Sequence, residues 1–264
     1  MASSPGSAGD AAGSAGAGAP VTIAPVVWML PDRPGRGPRP AHSRNEIAAA
    51  AIEIADADGL EAVTMRRVAA EVGCGTMTLY RYVPTKDHLL ELMIDVVTGE
   101  TVLPDLPAGD WREGLRTVAA MHRDTLLRHP WLASLQSGRP SFGPNSLRTM
   151  EWAAGVLHGL SLDIDQVLIM MNTLRAFVLG AVVEELAEQE AQRRSGLSTA
   201  QWQARMAPYV ATLMASGRYP TFNKIITDAK LPHSDGGPDE GFALGLELVL
   251  DGFAASLPGL GPRS

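Results

Sequence analysis

From residue 42 almost to the end of the chain, apolar residues recur at spacings of three and four, and no segment alternates with a period of two over any useful length. This periodicity is typical of amphipathic helices and argues against a β-sheet. Because 45% of the 264 residues are apolar, the chain can also build a full hydrophobic core. The sequence therefore predicts an all-α protein.

The first 40 residues differ in composition from the rest. Residues 1–20 are almost entirely Ala, Gly, Ser and Pro, which is typical of disorder, and residues 33–40 form an arm with three arginines. The apolar run Val21–Leu30 is shorter than the roughly 20 residues of a membrane span. Its basic residues follow it, whereas they precede the apolar core of a signal peptide. We expect a disordered tail with an arginine-rich arm over residues 1–40, no export and no membrane anchor.

Several kinds of site are absent from the sequence. Cys74 is the single cysteine, so there is no intramolecular disulfide, and a reducing cytosol is the expected compartment. No two of the six histidines stand three or four residues apart, as a metal-binding pair on a helix would. We also find no phosphate-binding glycine loop, zinc-protease pair or nucleophile elbow. We therefore expect a cytoplasmic protein with no metal, no cofactor and no catalytic site.

Residues 63–82 have the pattern of two short helices joined by a glycine turn. Thr64 is a candidate N-cap for the first helix, Gly73 lies in the turn, and the second helix extends from about Gly75 to Tyr82. Small or apolar residues stand where these helices must pack, at Val68, Ala69, Val72 and Leu79. Such a pair places its second helix in the major groove of DNA.

The outward side chains of the second helix are chemically suited to DNA. They are hydroxyls, a methionine and a guanidinium, which can contact base edges, thymine methyls and phosphates. The residues are Thr76, Met77, Thr78, Tyr80, Arg81 and Tyr82.

Three stretches then match a known pattern in order and spacing: Ile47–Leu60, Thr64–Ala69 and Leu79–Lys86. Together they resemble the DNA-binding domain of the tetracycline-repressor (TetR) family over about residues 43–97. The resemblance implies a helix-turn-helix domain over residues 41–90 and a helical ligand-binding and dimerisation domain over residues 91–258. It further implies a homodimeric, ligand-responsive regulator. We expect a repressor that binds a palindromic operator and is released by a small, partly apolar effector.

The resemblance also assigns roles to single residues. It places Thr76, Met77, Thr78 and Tyr82 towards the groove, and Thr64, Arg66, Tyr80 and Lys86 near phosphates; Arg81 fits either role. Lys86 has independent support, because it stands at the start of a predicted helix, where free N–H groups and the helix dipole favour an anion. The family often has histidine where this chain has Tyr82.

The charges of this region are compatible with DNA binding. Residues 32–90 contain eight basic and eight acidic residues, so the formal net charge of −7 lies in the rest of the chain. The basic residues concentrate in the arm and in the two helices of residues 63–82, and the acidic residues concentrate in the helix before them. A neutral sum therefore permits one positive face.

Helices are also predicted throughout the C-terminal part: Trp111–Arg128, Pro130–Gln136, Asn145–Leu160, Asp163–Arg194, Thr199–Ala215, Thr221–Asp228 and Asp239–Leu257. The helices that start at Asp163 and Asp239 have wide apolar faces, and the resemblance implies that they pack against their symmetry mates as a four-helix bundle. Candidate effector-lining residues are Met93, His122, Leu126, Trp131, Met150, Met171, Leu174 and Phe177. The same residues at helical spacing also fit plain core packing.

Two alternatives stay open at this point. The chain can be a helical carrier of small molecules or an enzyme, in which the N-terminal helices only pack. It can also be a DNA-binding activator or a regulator that needs no ligand. Salt-dependent affinity for a palindromic duplex distinguishes the first alternative from a regulator.

Overall fold

The computed structural model describes residues 26–30, 42–105, 109–136, 141–229 and 237–256, and their regular structure is helical, without a strand. The all-α prediction is confirmed for these residues. The predicted tail and arm lie outside the described residues, apart from residues 26–30.

A short 3-10 helix, Val27–Met29, precedes α1 (Arg44–Asp58), a second 3-10 turn (Leu60–Ala62), α2 (Met65–Val72), α3 (Thr76–Tyr82) and α4 (Lys86–Gly99). The C-terminal part contains α5 (Trp111–Arg128), α6 (Leu132–Leu135), α7 (Pro144–Gly155), α8 (Ile164–Ser195), α9 (Thr199–Ala215), α10 (Pro220–Asp228) and α11 (Gly237–Ser256).

Side-chain caps fix where several of these helices begin. The Thr64 hydroxyl accepts the N–H of Arg67 at 3.2 Å, and the Thr85 hydroxyl accepts the N–H of His88 at 3.2 Å. Each bond satisfies one of the N–H groups that a helix leaves without a partner at its start. The predicted starts of α2 and α4 are therefore confirmed.

Two C-terminal helices are shorter than the sequence predicts. α6 begins at Leu132 and not at Pro130, because the Leu132 N–H closes a turn onto the carbonyl of His129 at 2.9 Å. α7 ends at Gly155, and the following residues form turns that finish at Gly159, whose φ of 84° is outside the helical region.

α4 belongs to two packing groups. Its first half joins α1–α3 in a small head whose buried residues include Ile47, Val68 and Leu79, and its second half packs against α7. In the C-terminal part, α8 packs against α5 and α11. The buried apolar residues form one continuous cluster through both parts.

α8 uses only one stripe of its surface for this packing, through Met170, Leu174, Val178 and Val182. By length and composition alone α8 also qualifies as a membrane-spanning helix. Other apolar residues of α8 are exposed, and α9 and α10 have no buried residue at all.

We predict that Gly73→Ala lowers the free energy of unfolding by about 1–2 kcal/mol, the cost of a left-handed backbone for a residue with a Cβ. Gly73 has φ 78°, and no atom lies within 4 Å of the position its Cβ would take, so the penalty is conformational and not steric. Urea denaturation at a fixed protein concentration measures it. Gly180→Ala is the control, because Gly180 lies inside α8 without a positive φ and no atom lies within 4 Å of the position its Cβ would take. Equal losses in both variants would contradict this account.

Candidate functional site

The turn between α2 and α3 sets the direction of the second helix. Gly73 adopts the left-handed conformation at the end of α2, and the Cys74 N–H donates to the carbonyl of Ala69 at 2.8 Å. α3 then begins after Gly75 and is anchored by the fully buried Leu79. Ala69 is also buried, and its small side chain permits close approach. The predicted helix-turn-helix core is present, with Val72 half-buried at its edge.

The outward face of α3 carries two of the four predicted groove residues, Met77 and Thr78, together with Tyr80, which was predicted near phosphates, and Arg81, which fits either role. Met77 is 79% exposed, and Thr78, Tyr80 and Arg81 are exposed as well. Thr76 is half-buried at the start of the helix.

Tyr82 differs from the other predicted groove residues. Only 8% of its surface is exposed, so most of its ring packs inside the head. Its carbonyl oxygen accepts a hydrogen bond from Nε of Arg44 at 3.1 Å. In this structure Tyr82 ends α3 and helps to hold it in place.

The residues predicted near phosphates lie at helix starts. Thr64 is the N-cap of α2 and stays exposed, and Arg66 is exposed in the first turn of that helix. Lys86 is the exposed first residue of α4. Positive charge and free N–H groups at a helix start attract anions, so this placement suits a DNA backbone.

Some basic residues of the head already bond to other groups of the protein. Arg67 forms an ion pair with Asp58, and Arg44 donates to the carbonyls of Tyr82, Val27 and Leu30. Arg66, Arg81 and Lys86 are the exposed basic side chains of α2, α3 and the start of α4 that have no ion-pair partner among the described residues.

The sequence analysis missed a structural role for the segment Val27–Leu30. Val27 is fully buried, and Arg44 holds this segment by two of its carbonyls, at 3.3 Å for Val27 and 3.0 Å for Leu30. The 3-10 helix packs against α4, and a Cβ on Gly143 would come within 2.6 Å of the Trp28 ring. The signal for this role was the apolar composition of the run, which fits neither a membrane span nor a signal peptide.

The sequence analysis also missed Asp95, a buried carboxylate on α4. Asp95 accepts the backbone N–H of Ser146 at 2.8 Å and a side-chain N–H of Asn145 at 3.2 Å. Both donors belong to the first turn of α7, so Asp95 caps that helix from a neighbouring one. α4 is thereby fixed to the start of α7.

The predicted effector-lining residues divide into three groups. Met93, Leu126 and Leu174 are fully or almost fully buried in the core, whereas His122, Met171 and Phe177 are half-buried. Trp131 donates its indole N–H to Asp56 on α1, and Met150 is 52% exposed on α7. Trp131 and Met150 are thus directed to the head and to solvent.

A polar cluster connects α5, α6 and α8 within this region. Nε2 of His122 lies 2.8 Å from Oε1 of Gln136, and the carbonyl of Gln136 accepts from Arg175 at 2.9 Å. Burial lowers the pKa of His122 below its usual value; the bond to Gln136 opposes this shift, and the charge of Arg175 adds to it. The half-buried ring is therefore biased towards its neutral form. Across the described residues, no cluster of three or more His, Cys, Asp or Glu has the arrangement of a metal site.

Comparison with known proteins assigns this architecture. Residues 47–93 match the family described as bacterial regulatory proteins, tetR family, and residues 103–257 match the tetracyclin repressor-like C-terminal domain. The chain belongs to the TetR family. It is therefore a helix-turn-helix transcriptional regulator, and the recognition made from the three sequence stretches is confirmed.

Individual TetR-family proteins match over most of their length. The chain is 40% identical to the HTH-type transcriptional repressor DrrR1 of Streptomyces coeruleorubidus over 86% of this chain and 83% of that protein. It is 26% identical to the class A tetracycline repressor from transposon 1721 of Escherichia coli, over 80% of this chain and 89% of that protein.

The chain also resembles a solved structure of a TetR-family protein. ActR from Streptomyces coelicolor, in complex with actinorhodin, is 28% identical and superposes with a TM-score of 0.68 over 84% of this chain and all of that one. The TetR-family regulators are soluble DNA-binding proteins, so the apolar composition of α8 does not indicate a membrane span.

We predict that the free energy of unfolding falls as the pH drops below the usual histidine pKa of about 6.5, in part because of His122. Its lowered pKa means that the unfolded chain takes up a proton that the folded chain binds less readily. The loss therefore begins near pH 6.5 and ends below the pKa of the folded state. Urea midpoints measured between pH 7.5 and pH 5 test it.

His122→Gln should flatten this pH dependence, because glutamine does not titrate. His158→Gln is the matched control, since His158 is exposed. If the free energy of unfolding changed equally with pH in wild type and in His122→Gln, His122 would not contribute to the pH dependence.

Proposed function

We propose that this regulator is a cytoplasmic repressor without enzymatic activity that binds a palindromic operator as a homodimer and is released by a small, partly apolar effector. Residues 41–90 bind DNA and residues 91–258 bind the effector and the second protomer, with α4 crossing that boundary. The observation that carries the proposal is the exposed surface of α3, with Lys86 at the adjoining start of α4.

The expected DNA contacts follow from that surface. Met77 and Thr78 are the exposed side chains suited to thymine methyls and base edges, with Thr76 at the start of α3. Thr64, Arg66, Tyr80 and Lys86 contact phosphates, and Arg81 serves either role. Tyr82 contributes through the small exposed edge of its ring.

Homodimerisation is supported by the unburied apolar faces of α8 and α11. These two helices pack together, and both carry exposed apolar residues: Ile164, Leu168, Ile169, Val183, Leu244 and Leu248. Soluble monomers rarely expose contiguous apolar surfaces of this kind. A two-fold axis along these helices would bury them in a four-helix bundle and give two reading heads for a palindrome.

The effector is assigned to the interior of the C-terminal domain. Support comes from the partly buried side chains of His122, Met171 and Phe177 on α5 and α8, and from ActR, a relative solved with actinorhodin. The buried Met93, Leu126 and Leu174 are further candidate contacts, whereas Trp131 bonds to Asp56 and Met150 is exposed to solvent, so the proposed effector site does not include these two. An effector releases DNA only if it binds better to a dimer whose heads are misplaced.

α4 is the proposed lever between effector and DNA. Lys86 stands at its DNA end, and the buried Met93 and Val97 stand at its other end. Because Asp95 also caps α7, a shift of α7 on effector binding would be transmitted to the head through α4.

Selection from random duplex DNA at one fixed salt concentration tests the proposal. We expect wild type to enrich a palindrome whose half-sites are about 34–36 Å apart, one turn of the double helix. Tyr80→Ala and Lys86→Ala should weaken its binding, and Lys86→Ala should reduce the salt slope by about 1 per half-site. Lys224→Ala, on the exposed α10, is the charge-matched control. If folded wild-type protein enriched no palindrome, a carrier or enzyme would become the better account.

Sedimentation tests the dimer. Leu248→Lys should raise the dimer dissociation constant by about 100-fold or more, because each protomer then buries an unpaired charge at a cost of several kcal/mol. Leu248 is 74% exposed in the single chain. Val102→Lys is the control, since Val102 is 88% exposed and lies outside α8 and α11. A wild-type monomer at micromolar concentration, or an unchanged Leu248→Lys dimer, would contradict this interface.

A further inference from the structure

The turn between α5 and α6 makes a contact that the proposed function does not use. His129 ends α5, with its N–H on the carbonyl of Thr125 at 3.0 Å, and Trp131 precedes α6. Their exposed fractions are 4% and 6%, and the two rings meet edge to face with centroids 5.9 Å apart. Two large polar rings are therefore held rigidly at one point.

Both rings bond to a carboxylate of the head. Oδ1 of Asp56, in the last turn of α1, lies 2.7 Å from the indole nitrogen of Trp131, which donates to it. The same oxygen lies 2.8 Å from Nδ1 of His129. One side chain of the DNA-binding head thus receives two bonds from the C-terminal domain.

A second carboxylate completes the cluster. Nε2 of His129 lies 3.1 Å from Glu100, the residue that ends α4. The two nitrogens of the His129 ring thus face carboxylates that belong to two different helices. His129 therefore ties α1 and the end of α4 to the C-terminal domain.

This cluster gives the head a second point of attachment. The head is joined to the C-terminal domain covalently through α4, and attachment along one helix alone leaves rotation and bending about that helix unopposed. Asp56 belongs to α1, a different helix of the head, so bonds from His129 and Trp131 oppose that motion. Charge-assisted hydrogen bonds are short and directional, which suits them to fix an orientation.

We infer that His129 and Trp131 are positioning residues, which set the tilt of the reading head through Asp56 and Glu100 and so set the operator spacing that the dimer prefers. This inference rests on the proposed function, because spacing has meaning only for a dimer on a palindrome. In such a dimer the separation of the two recognition helices determines the half-site separation.

The test uses the full-length chain and the palindrome selected by wild type, with the spacer between half-sites lengthened or shortened by one or two base pairs. Trp131→Phe keeps an aromatic ring and removes only the N–H donor, and His129→Gln removes one of the two bonds. Trp152→Phe is the matched control, because its indole N–H donates to the carbonyl of Pro104 at 2.8 Å, outside the cluster. His158→Gln is the matched control for His129→Gln, because His158 is exposed in the turns after α7.

We expect Trp131→Phe and His129→Gln to reduce the preference for the optimal spacer by at least about fivefold, the factor expected for one lost hydrogen bond. Freed heads can tilt to reach the altered spacers, so relative affinity for those spacers rises. Trp152→Phe and His158→Gln should keep the wild-type preference. Melting curves confirm that each variant is folded at the assay temperature.

Other outcomes overturn the inference. If the two variants bound the duplexes of every spacer length more weakly by the same factor, the cluster would matter only for stability. If their affinities for all spacer lengths equalled those of wild type, the cluster would have no positioning role. If either variant failed to fold, Asp56→Asn gives the same measurement from the head side, where the carboxylate is one-third exposed. If wild type selected no palindrome, the proposed function itself would be overturned. If wild type selected a palindrome and the variants kept the same spacer preference, only the positioning role would be overturned.

Discussion

The packing of α4 against two partners is the constraint on which the rest of the structure depends. Its buried residues Leu89, Leu92, Met93 and Val97 belong to one continuous core, which α4 shares with α1 on one side and α7 on the other. A close-packed core transmits displacement, because a side chain has no free volume into which it can relax. The hydrogen bonds that Asp95 accepts from the first turn of α7 fix the position of that turn relative to α4. α7 is thereby in direct contact with the helix that begins at Lys86.

Electrostatics in the head serves two separate purposes. Arg44 donates to the carbonyls of Tyr82, Val27 and Leu30, and Arg67 pairs with Asp58 at the surface. Arg66, Arg81 and Lys86 are exposed without an ion-pair partner in the described part of the chain. Counting charges along the chain does not make this distinction, since all five residues have the same formal charge. The geometry decides which basic residues of the head are engaged in bonds within the protein and which stay exposed without an ion-pair partner.

Local sequence signals predicted the head well, because each signal acts within a few residues. Thr64 and Thr85 each cap a helix by accepting the backbone N–H three residues later in the chain. Gly73 adopts the left-handed backbone conformation, which is unfavourable for residues with a Cβ. The candidate site was less predictable. Tyr82 and Trp131 were assigned to the groove and to the effector, yet one ring is largely buried in the head and the other bonds to Asp56. For both residues the environment comes from segments distant in the chain.

By itself, the sequence determined the helical class, the helix-turn-helix and four of its six outward residues, Met77, Thr78, Tyr80 and Arg81, since periodicity, caps and turns are local properties. Only the tertiary structure decided that Val27–Leu30 docks on the head, that Asp95 caps α7, and that His129 lies between Asp56 and Glu100. Asp56 and His129 are 73 positions apart. No local rule pairs such residues, because which carboxylate meets which donor depends on how the helices pack.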